Sequence, residues 1–457
     1  MLGNQKKIHF IGIGGIGMSG MAELLNNLGH IITGSDLSDS DRIQHLKEIG
    51  LEISIGHNKK NIKNHDLVVF SSAVNLENPE IVESKKKNIP VIKRSEMLGE
   101  LLKVKPISIA VAGTHGKTTS SSMLNAILTN SDHKPTLIVG GIVQGLLSNS
   151  ILGDGDTIIV EADEYDRTLL SLKASMSVVT NIDFEHSDCY ENIESLKETF
   201  LSFLNSTSFY GINVVYYDDE NIKEIINDIR RPYITYGKSN NCDIRYENPQ
   251  FSENNTKFDL IINDYNHGKC ELSVPGEHNI LNCLAAVGIS KELNIPIDLI
   301  KEGIKSYKGV KRRFEVKYKT ENNITIVDDY AHHPSEVDAT INTALAGWDL
   351  NNLIVVFQPH LFSRTKEFQK EFSEVLSKAD IVILTDIYPA REKEIKGVSS
   401  NLILDKIDDS KSFLVSKDEV AKKVSNICSR DDMIIVMGAG DIRNITDDIY
   451  NAIIDKK

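Results

Sequence analysis

Ile107-Ser-Ile-Ala-Val-Ala112 runs straight into Gly113-Thr114-His115-Gly116-Lys117-Thr118-Thr119, and this stretch decides the fold. A short apolar run ends in a glycine turn, and a segment of helical period follows. In such a strand–turn–helix unit, backbone N–H groups and the helix dipole cradle phosphates, the lysine reaches the β- and γ-phosphates, and the next hydroxyl ligates magnesium. The full phosphate-loop spacing asks for glycine at position 111, where the chain has Val111, so the loop is a shortened variant with the same chemistry. A nucleoside triphosphate is the expected ligand.

Working outward, short β-branched runs alternate with helical segments almost from end to end, the pattern of parallel sheets with crossover helices. The fold class is α/β. Expected strands are Ile8–Ile13, Ile31–Gly34, Leu67–Phe70, Ile107–Ala112, Thr157–Glu161, Ser177–Thr180, Asn213–Tyr217, Ile324–Val327, Leu353–Phe357, Ile381–Thr385 and Met433–Met437, too many for one compact sheet. Breaks at Lys103-Val-Lys-Pro106 and between Tyr307 and Arg313 suggest three domains, 1–106, 107–312 and 313–457. The polar stretch Cys242 to Gly268, with Asn254-Asn255 and Asn263-Asp264 as turns, suggests a small antiparallel patch within the middle domain.

A second glycine loop lies near the start, at Gly12-Ile-Gly14-Gly15-Ile-Gly17, with Asp36 19 residues beyond Gly17 at the end of the next strand. Glycines allow close backbone approach to a pyrophosphate, and an acidic side chain can take ribose hydroxyls. NAD and a UDP-sugar both meet that description. Taken together the loops narrow the choice: a hydride-transfer enzyme has no use for the second, and a simple nucleotide hydrolase none for the first.

Carboxylates follow the phosphate loop. Glu161-Ala-Asp163-Glu164 closes one expected strand, and Asn181-Ile-Asp183-Phe-Glu185-His186-Ser-Asp188 closes the next. Strand ends are where open α/β sheets bind ligands, and magnesium prefers hard oxygen donors. A histidine among acids suits a second cation as readily as a structural role.

Composition excludes several classes. A formal net charge of −14 and no basic stripe argue against a nucleic-acid partner. Lys85-Lys86-Lys87 reads as a solvated helix end. The five cysteines, Cys189, Cys242, Cys270, Cys283 and Cys428, are scattered with no C-x-x-C pair, which suits reduced thiols in the cytoplasm. Ile8 to Met21 imitates a signal peptide but is broken by five glycines, and no run is long enough to span a membrane, so neither export nor membrane insertion is expected.

These motifs, with Gly34-Ser-Asp36, Ser71-Ser-Ala73, Gly276-Glu-His278-Asn279-Ile-Leu-Asn282, Arg312-Arg313-Phe-Glu315, Asp328-Asp-Tyr330-Ala-His332-His-Pro334, Phe357-Gln-Pro-His360 and Gly438-Ala-Gly-Asp441, resemble the Mur ligases over essentially the whole chain. The resemblance implies a Rossmann-like N-terminal domain, a central P-loop-type ATPase domain with a mostly parallel sheet, and a Rossmann-like C-terminal domain. It implies an ATP-dependent ligase that joins L-alanine to UDP-N-acetylmuramate through an acyl-phosphate in peptidoglycan precursor synthesis. Gly12, Gly14, Gly15, Gly17, Asp36, Ser71 and Ser72 would meet the UDP-sugar. Gly113 to Thr119, His278, Asn279, Asn282, Arg313 and Asp328 would meet ATP. Two Mg²⁺ ions would sit on Thr118 and Glu161 and on His186. Lys117, Arg313, Tyr330, His332 and Arg364 would carry the chemistry, with Leu361 standing where relatives often have arginine. Lys197 is left unassigned as a modified lysine.

Rivals are a recycling ligase that adds a ready-made peptide to the same sugar, an NAD-dependent oxidoreductase, and a nucleotide-gated scaffold. Because the ligands fall on three domains, closure with hinges near Pro106 and Lys311 is expected.

Overall fold

The computed structural model describes residues 6–141, 149–185, 189–390, 392–408 and 410–456. Three sheets give a three-domain α/β architecture. The first contains β1 (Lys7–Ile11), β2 (Ile31–Asp36), β3 (Glu52–Ile55), β4 (Leu67–Phe70) and β5 (Val91–Lys93), all parallel, in the order β3-β2-β1-β4-β5. Ile8, Phe10 and Ile11 of β1 are fully buried, and the polar His9 between them is buried as well. It stops at Ile11 rather than Ile13 because Gly12 turns to a left-handed φ of 78°. β2 runs two residues further than expected, to Asp36, because it pairs with β3, a mostly exposed edge strand that carries no apolar signal.

The second sheet holds β6 (Ile107–Ala112), β7 (Thr136–Ile138), β8 (Ser150–Ile151), β9 (Thr157–Glu161), β10 (Met176–Val179), β11 (Ile212–Tyr216), β12 (Tyr233–Gly237), β13 (Ile244–Ser252), β14 (Asn255–Ile262) and β15 (Tyr265–Leu272). Their order is β15-β14-β13-β12-β11-β10-β6-β9-β7-β8, with β6 between β10 and β9, parallel to both. The polar stretch after Cys242 does form hairpins, and Asn263 and Asp264 take the positive φ values, 48° and 62°, that a tight turn needs. The hairpins are continuous with the main sheet, because β13 adds in parallel to β12.

In the third sheet β16 (Glu315–Lys319), β17 (Thr325–Asp329), β18 (Leu353–Phe357), β19 (Ile381–Leu384), β20 (Ser412–Leu414) and β21 (Met433–Met437) follow the order β16-β17-β21-β18-β19-β20. Only β16 is antiparallel to its neighbour. Alternation along the strands sends Val327, Val355 and Ile435 to one core and Ile326, Ile354 and Ile434 to another, so the sheet is buried on both faces.

The chain forms two compact units. One comprises residues 1–248, 258–271 and 281–308, and the other 249–257, 272–280 and 309–457. Within the first, Leu98, Leu101 and Leu102 share a core with Ala110, Leu169 and Leu172. The expected hinge at Pro106 therefore falls inside packed structure, since swinging there would expose that apolar surface to water. Lys85-Lys86-Lys87 is the exposed end of the helix Pro79–Lys86, as read from sequence. All five cysteines are free thiols. Among the described residues no helix is long and apolar enough to cross a membrane.

Candidate functional site

Both glycine loops lie at the C-terminal edges of their sheets, in the first compact unit. In the N-terminal loop the amides of Gly12 and Ile13 donate to the Ser35 carbonyl at 2.8 and 3.1 Å, and Gly15 caps the helix Ile16–Asn27. A Cβ on Gly12 would stand 3.1 Å from that of Ser71, so the end of β4 packs directly on the loop. Ser72 next to it is exposed. Asp36 braces the loop: one carboxylate oxygen accepts from the Gly14 amide at 2.8 Å and the other from the Leu37 amide at 2.8 Å. Each oxygen has a second lone pair, so ribose hydroxyls can still be accepted.

Behind this loop sits a group the sequence reading missed. Glu80, fully buried at the start of the helix Pro79–Lys86, accepts from the Ser35 hydroxyl at 2.5 Å, the Asn61 amide at 2.5 Å and the Asn58 backbone N–H at 3.1 Å. His9 Nε2 and His57 Nδ1 approach it at 3.6 and 3.5 Å. Burial alone would raise its pKa, but the hydrogen bonds, His9 first, outweigh that and hold it at about 2. Nearby, burial lowers His65 to about 4, with His9 and Lys7 adding to the effect. The only local sign of Glu80 was a helix start at Asn78-Pro79.

The phosphate loop is tied more tightly. Gly113 (φ 133°) admits no side chain, since a Cβ would fall 1.9 Å from the Thr180 hydroxyl, and Gly116 (φ 82°) would place one 2.3 Å from Asn282 Oδ1. Asn181 is the strut: its carbonyl accepts from the Thr114 amide at 3.1 Å and its side-chain oxygen from the His115 amide at 2.8 Å. His115 Nε2 lies 3.0 Å from Asp183. Lys117 begins the helix Lys117–Asn130 and folds back, donating to the carbonyls of Gly113 at 2.6 Å and Thr114 at 3.0 Å and to Glu164 at 2.8 Å. All three ammonium donors are thus used. Burial would lower the pKa of Lys117, but the Glu164, Asp163 and Glu161 carboxylates overcome it and hold the ammonium well above the usual lysine value.

The Thr118 hydroxyl donates to Glu161 at 2.7 Å, and the Gly140 amide reaches the same carboxylate oxygen at 2.6 Å. A hydroxyl and a carboxylate in contact at the mouth of a phosphate loop are the hard oxygen donors Mg²⁺ takes alongside phosphate and water, so the pair fits that ion. Thr119 is buried in the helix. Asn282 closes the set from its own helix, accepting from the Ser120 hydroxyl at 3.2 Å. His186 lies outside the described residues. Lys197 pairs with Glu224 and Glu194.

The second unit carries most of the remaining expected residues, and two of them meet Glu336, another position without a sequence signal. His332 Nδ1 lies 3.0 Å from Glu336, and Arg313 donates to it at 3.3 Å. The guanidiniums of Arg312 and Arg313 stand 4.8 and 5.4 Å from the Tyr330 ring. Asp328 meets Arg312 at 3.4 Å, so its partner here is the first arginine of the pair. Asp329 accepts from the Phe314 and Ala331 amides at 2.6 and 2.7 Å, and burial lifts it to about 6 against the opposing pull of Arg313. Arg364 Nη1 lies 3.3 Å from His360 Nδ1. Between them Leu361 adopts φ 71°, a conformation costly for a side chain with a Cβ and most often kept near functional sites. His278 falls to about 4, through burial first and then Arg313; Asn279, buried, donates to the Pro275 carbonyl at 2.6 Å.

Family models for the Mur ligase family catalytic domain, the Mur ligase middle domain and the Mur ligase glutamate ligase domain match residues 7–106, 111–290 and 312–440 in that order. The chain belongs to the Mur ligase family. This Mur ligase is 44% identical over 447 residues to UDP-N-acetylmuramate--L-alanine ligase of Trichlorobacter lovleyi, covering 97% of the chain and 98% of that relative. Identity to the same-named protein of Geobacter sulfurreducens is 43%, covering 97% and 96%. Among solved structures, UDP-N-acetylmuramate-alanine ligase from Thermotoga maritima superposes with a TM-score of 0.84 at 28% identity, covering 99% of this Mur ligase and 100% of that chain. A murein peptide ligase from Psychrobacter arcticus shares the fold, with a TM-score of 0.70 at 21% identity over 98% of both chains.

Proposed function

We propose that the chain is an ATP-dependent amide-bond ligase that joins L-alanine to UDP-N-acetylmuramate in peptidoglycan precursor synthesis, acting in the cytoplasm. One observation carries the reading: a phosphate loop whose Lys117 and Thr118 contact Glu164 and Glu161 shares a compact unit with a second glycine loop braced by Asp36. High identity to L-alanine ligases over 97% of the chain favours alanine over a ready-made peptide, and the phosphate loop leaves an NAD-dependent oxidoreductase without support.

In this reading residues 1–106 hold the sugar nucleotide, 107–312 hold ATP and 313–457 hold the amino acid. The sugar carboxylate attacks the γ-phosphorus in line. A carboxylate oxygen–phosphorus bond forms, the bond to the β-phosphate oxygen breaks, and ADP leaves. Lys117 offsets charge on the transferring group from its fixed place against the loop. Thr118 and Glu161 would hold Mg²⁺, which supplies further charge neutralisation at the phosphates when bound. Arg313 would add a second cation, and His278, Asn279, Asn282 and Asp328 would seat the nucleoside. Tyr330, His332 and Arg364 would receive alanine, whose deprotonated amine attacks the acyl-phosphate carbonyl and expels inorganic phosphate. His186 is proposed for a second Mg²⁺ from the resemblance alone.

The test is phosphate release with ATP, Mg²⁺, UDP-N-acetylmuramate and single amino acids. Release that requires both the sugar and L-alanine is expected. Release that requires a tripeptide, or a nicotinamide absorbance change without ATP, would overturn the reading.

A further inference from the structure

Arg94 is the first residue of the helix Arg94–Leu101, immediately after β5, on the sheet edge that carries the N-terminal glycine loop. In the order β3-β2-β1-β4-β5 the chain leaves β1 toward β2 on one side and resumes at β4 on the other. The crevice above β1 and β4 is therefore the topological switch point where ligands of open α/β sheets bind. Arg94 reaches back over β4 to that crevice: a Cβ on Gly17 would stand 2.8 Å from its Nη1, 3.6 Å from Cδ and 3.7 Å from Cζ. Gly17 has no positive φ to accommodate. What its missing side chain does is make room for the guanidinium against the first turn of the helix Ile16–Asn27.

That placement is unfavourable with protein alone. A guanidinium stays charged at any physiological pH, Arg94 is half-buried, and the helix end beside it carries partial positive charge. Yet among the described residues Arg94 makes no hydrogen bond or ion pair, although the chain carries 65 acidic residues. Arg42, the neighbouring cation on the loop, already donates to the Gly14 carbonyl at 3.4 Å, and Arg245, Arg312, Arg313 and Arg364 all have protein partners. A half-buried cation left without a counter-charge at a ligand crevice is matched by an anion that arrives with the ligand. Its planar fork suits two phosphate oxygens at once.

We infer that Arg94 is a binding residue for the diphosphate of the sugar nucleotide, clamping it against the first turn after the glycine loop. The inference rests on the sugar-nucleotide reading of that loop and adds the one charged contact the loop itself lacks. Arg94 takes no part in bond making, so its loss acts on sugar-nucleotide affinity and leaves ATP affinity and the chemical step in place.

The experiment is calorimetric titration of the full chain with UDP and, separately, with Mg·ADP, together with steady-state kinetics. Arg94→Ala should weaken UDP at least tenfold and raise KM for UDP-N-acetylmuramate by a similar factor, with Mg·ADP affinity and kcat within about threefold of wild type. Arg94→Lys should recover part of the loss, and the salt dependence of UDP binding should be shallower in Arg94→Ala than in wild type. Should Arg94→Ala unfold, Gly17→Ala keeps the charge but pushes the guanidinium aside, and it too should weaken UDP. Unchanged UDP affinity in a folded Arg94→Ala, or in Gly17→Ala, overturns the inference. A wild-type protein that binds Mg·ADP but neither UDP nor the UDP-sugar overturns the sugar-nucleotide reading instead.

Discussion

The two glycine loops share one backbone plan, a buried strand, a glycine turn and a helix N-terminus, yet they manage charge in opposite ways. In the phosphate loop the cation is built in: Lys117 belongs to the loop and is fully paired before any ligand arrives, with Glu164 as its counter-ion. The N-terminal loop contains no charged residue between Gly12 and Gly17. It borrows an acid, Asp36, to hold its own amide and a cation, Arg94, that has no partner among the described residues. Its rigidity comes from behind, through Ser35 and the buried Glu80. In the proposed function the first device breaks an ion pair to bind phosphate. The second, on the inference drawn for Arg94, completes an ion pair when it binds.

Breaking the Glu80 support gives the largest expected effect. Glu80→Ala removes the acceptor for Ser35, Asn58 and Asn61 and leaves His9 and His57 facing a void, so a loss of about 3–5 kcal/mol in unfolding free energy is expected. Urea denaturation measures it, and a loss under 1 kcal/mol would show that the first loop is held by other means. Next is Lys117→Ala, which should lower kcat by about 10²–10³, near 2.7–4 kcal/mol, while leaving UDP affinity unchanged. Phosphate release and UDP titration together report it; near-wild-type turnover would end the assignment of Lys117 to the phosphates.

Glu164→Gln sharpens the contrast on a smaller scale. With the competing carboxylate gone, Lys117 has less to give up, and Mg·ADP should bind about fivefold tighter, roughly 1 kcal/mol, the net worth of one hydrogen bond. Weaker binding would mean that Glu164 aims the lysine toward phosphate instead of competing for it. The smallest effect is on pH. His65 has its pKa lowered from 6.5 to about 4, so the stability it contributes is complete above 6.5 and drains away as the pH falls toward 4. Glu80, lowered from 4.5 to about 2, adds its own loss only below 4.5. Between pH 7.5 and 6, the share of stability that His65 contributes should thus drop by under about 1 kcal/mol, beside the titrations of His278 and Asp329 in the same range, and it is read as the difference in melting-temperature change between wild type and His65→Gln, roughly 2–4 °C or less. His65→Gln should remove that share of the slope, and a slope unchanged by it would assign the titration elsewhere.

Part of the candidate site's geometry was legible before the fold, and the pattern has a cause. Lys117, Thr118 and Glu161 stood out because phosphate binding by a loop and a strand end is a local geometry that recurs with local spacing. The hairpin turn at Asn263-Asp264 was legible for the same reason. Glu80, Asn181, Glu164 as the lysine's partner and Arg94 were not, since each acts on a residue distant in sequence, and Glu336 was not because its neighbour His332 alone gave it no role before Arg313 came up beside it. The edge strands β3 and β16 also escaped, because partly exposed strands lack the apolar run that marks buried ones.

The sequence by itself determined the α/β class, the two loops and their order, and through them the Mur ligase family. Those depend on periodicity, glycine placement and hydrogen bonding within a few residues. Only the tertiary structure decided which charge answers which. Arg94 reaches Gly17 because β5 lies beside β4 and β4 beside β1, and Glu80 supports Ser35 because its helix returns across the same sheet. Strand order sets those neighbours, and it is settled by how the whole chain buries its apolar faces, a global balance that no short stretch of sequence carries.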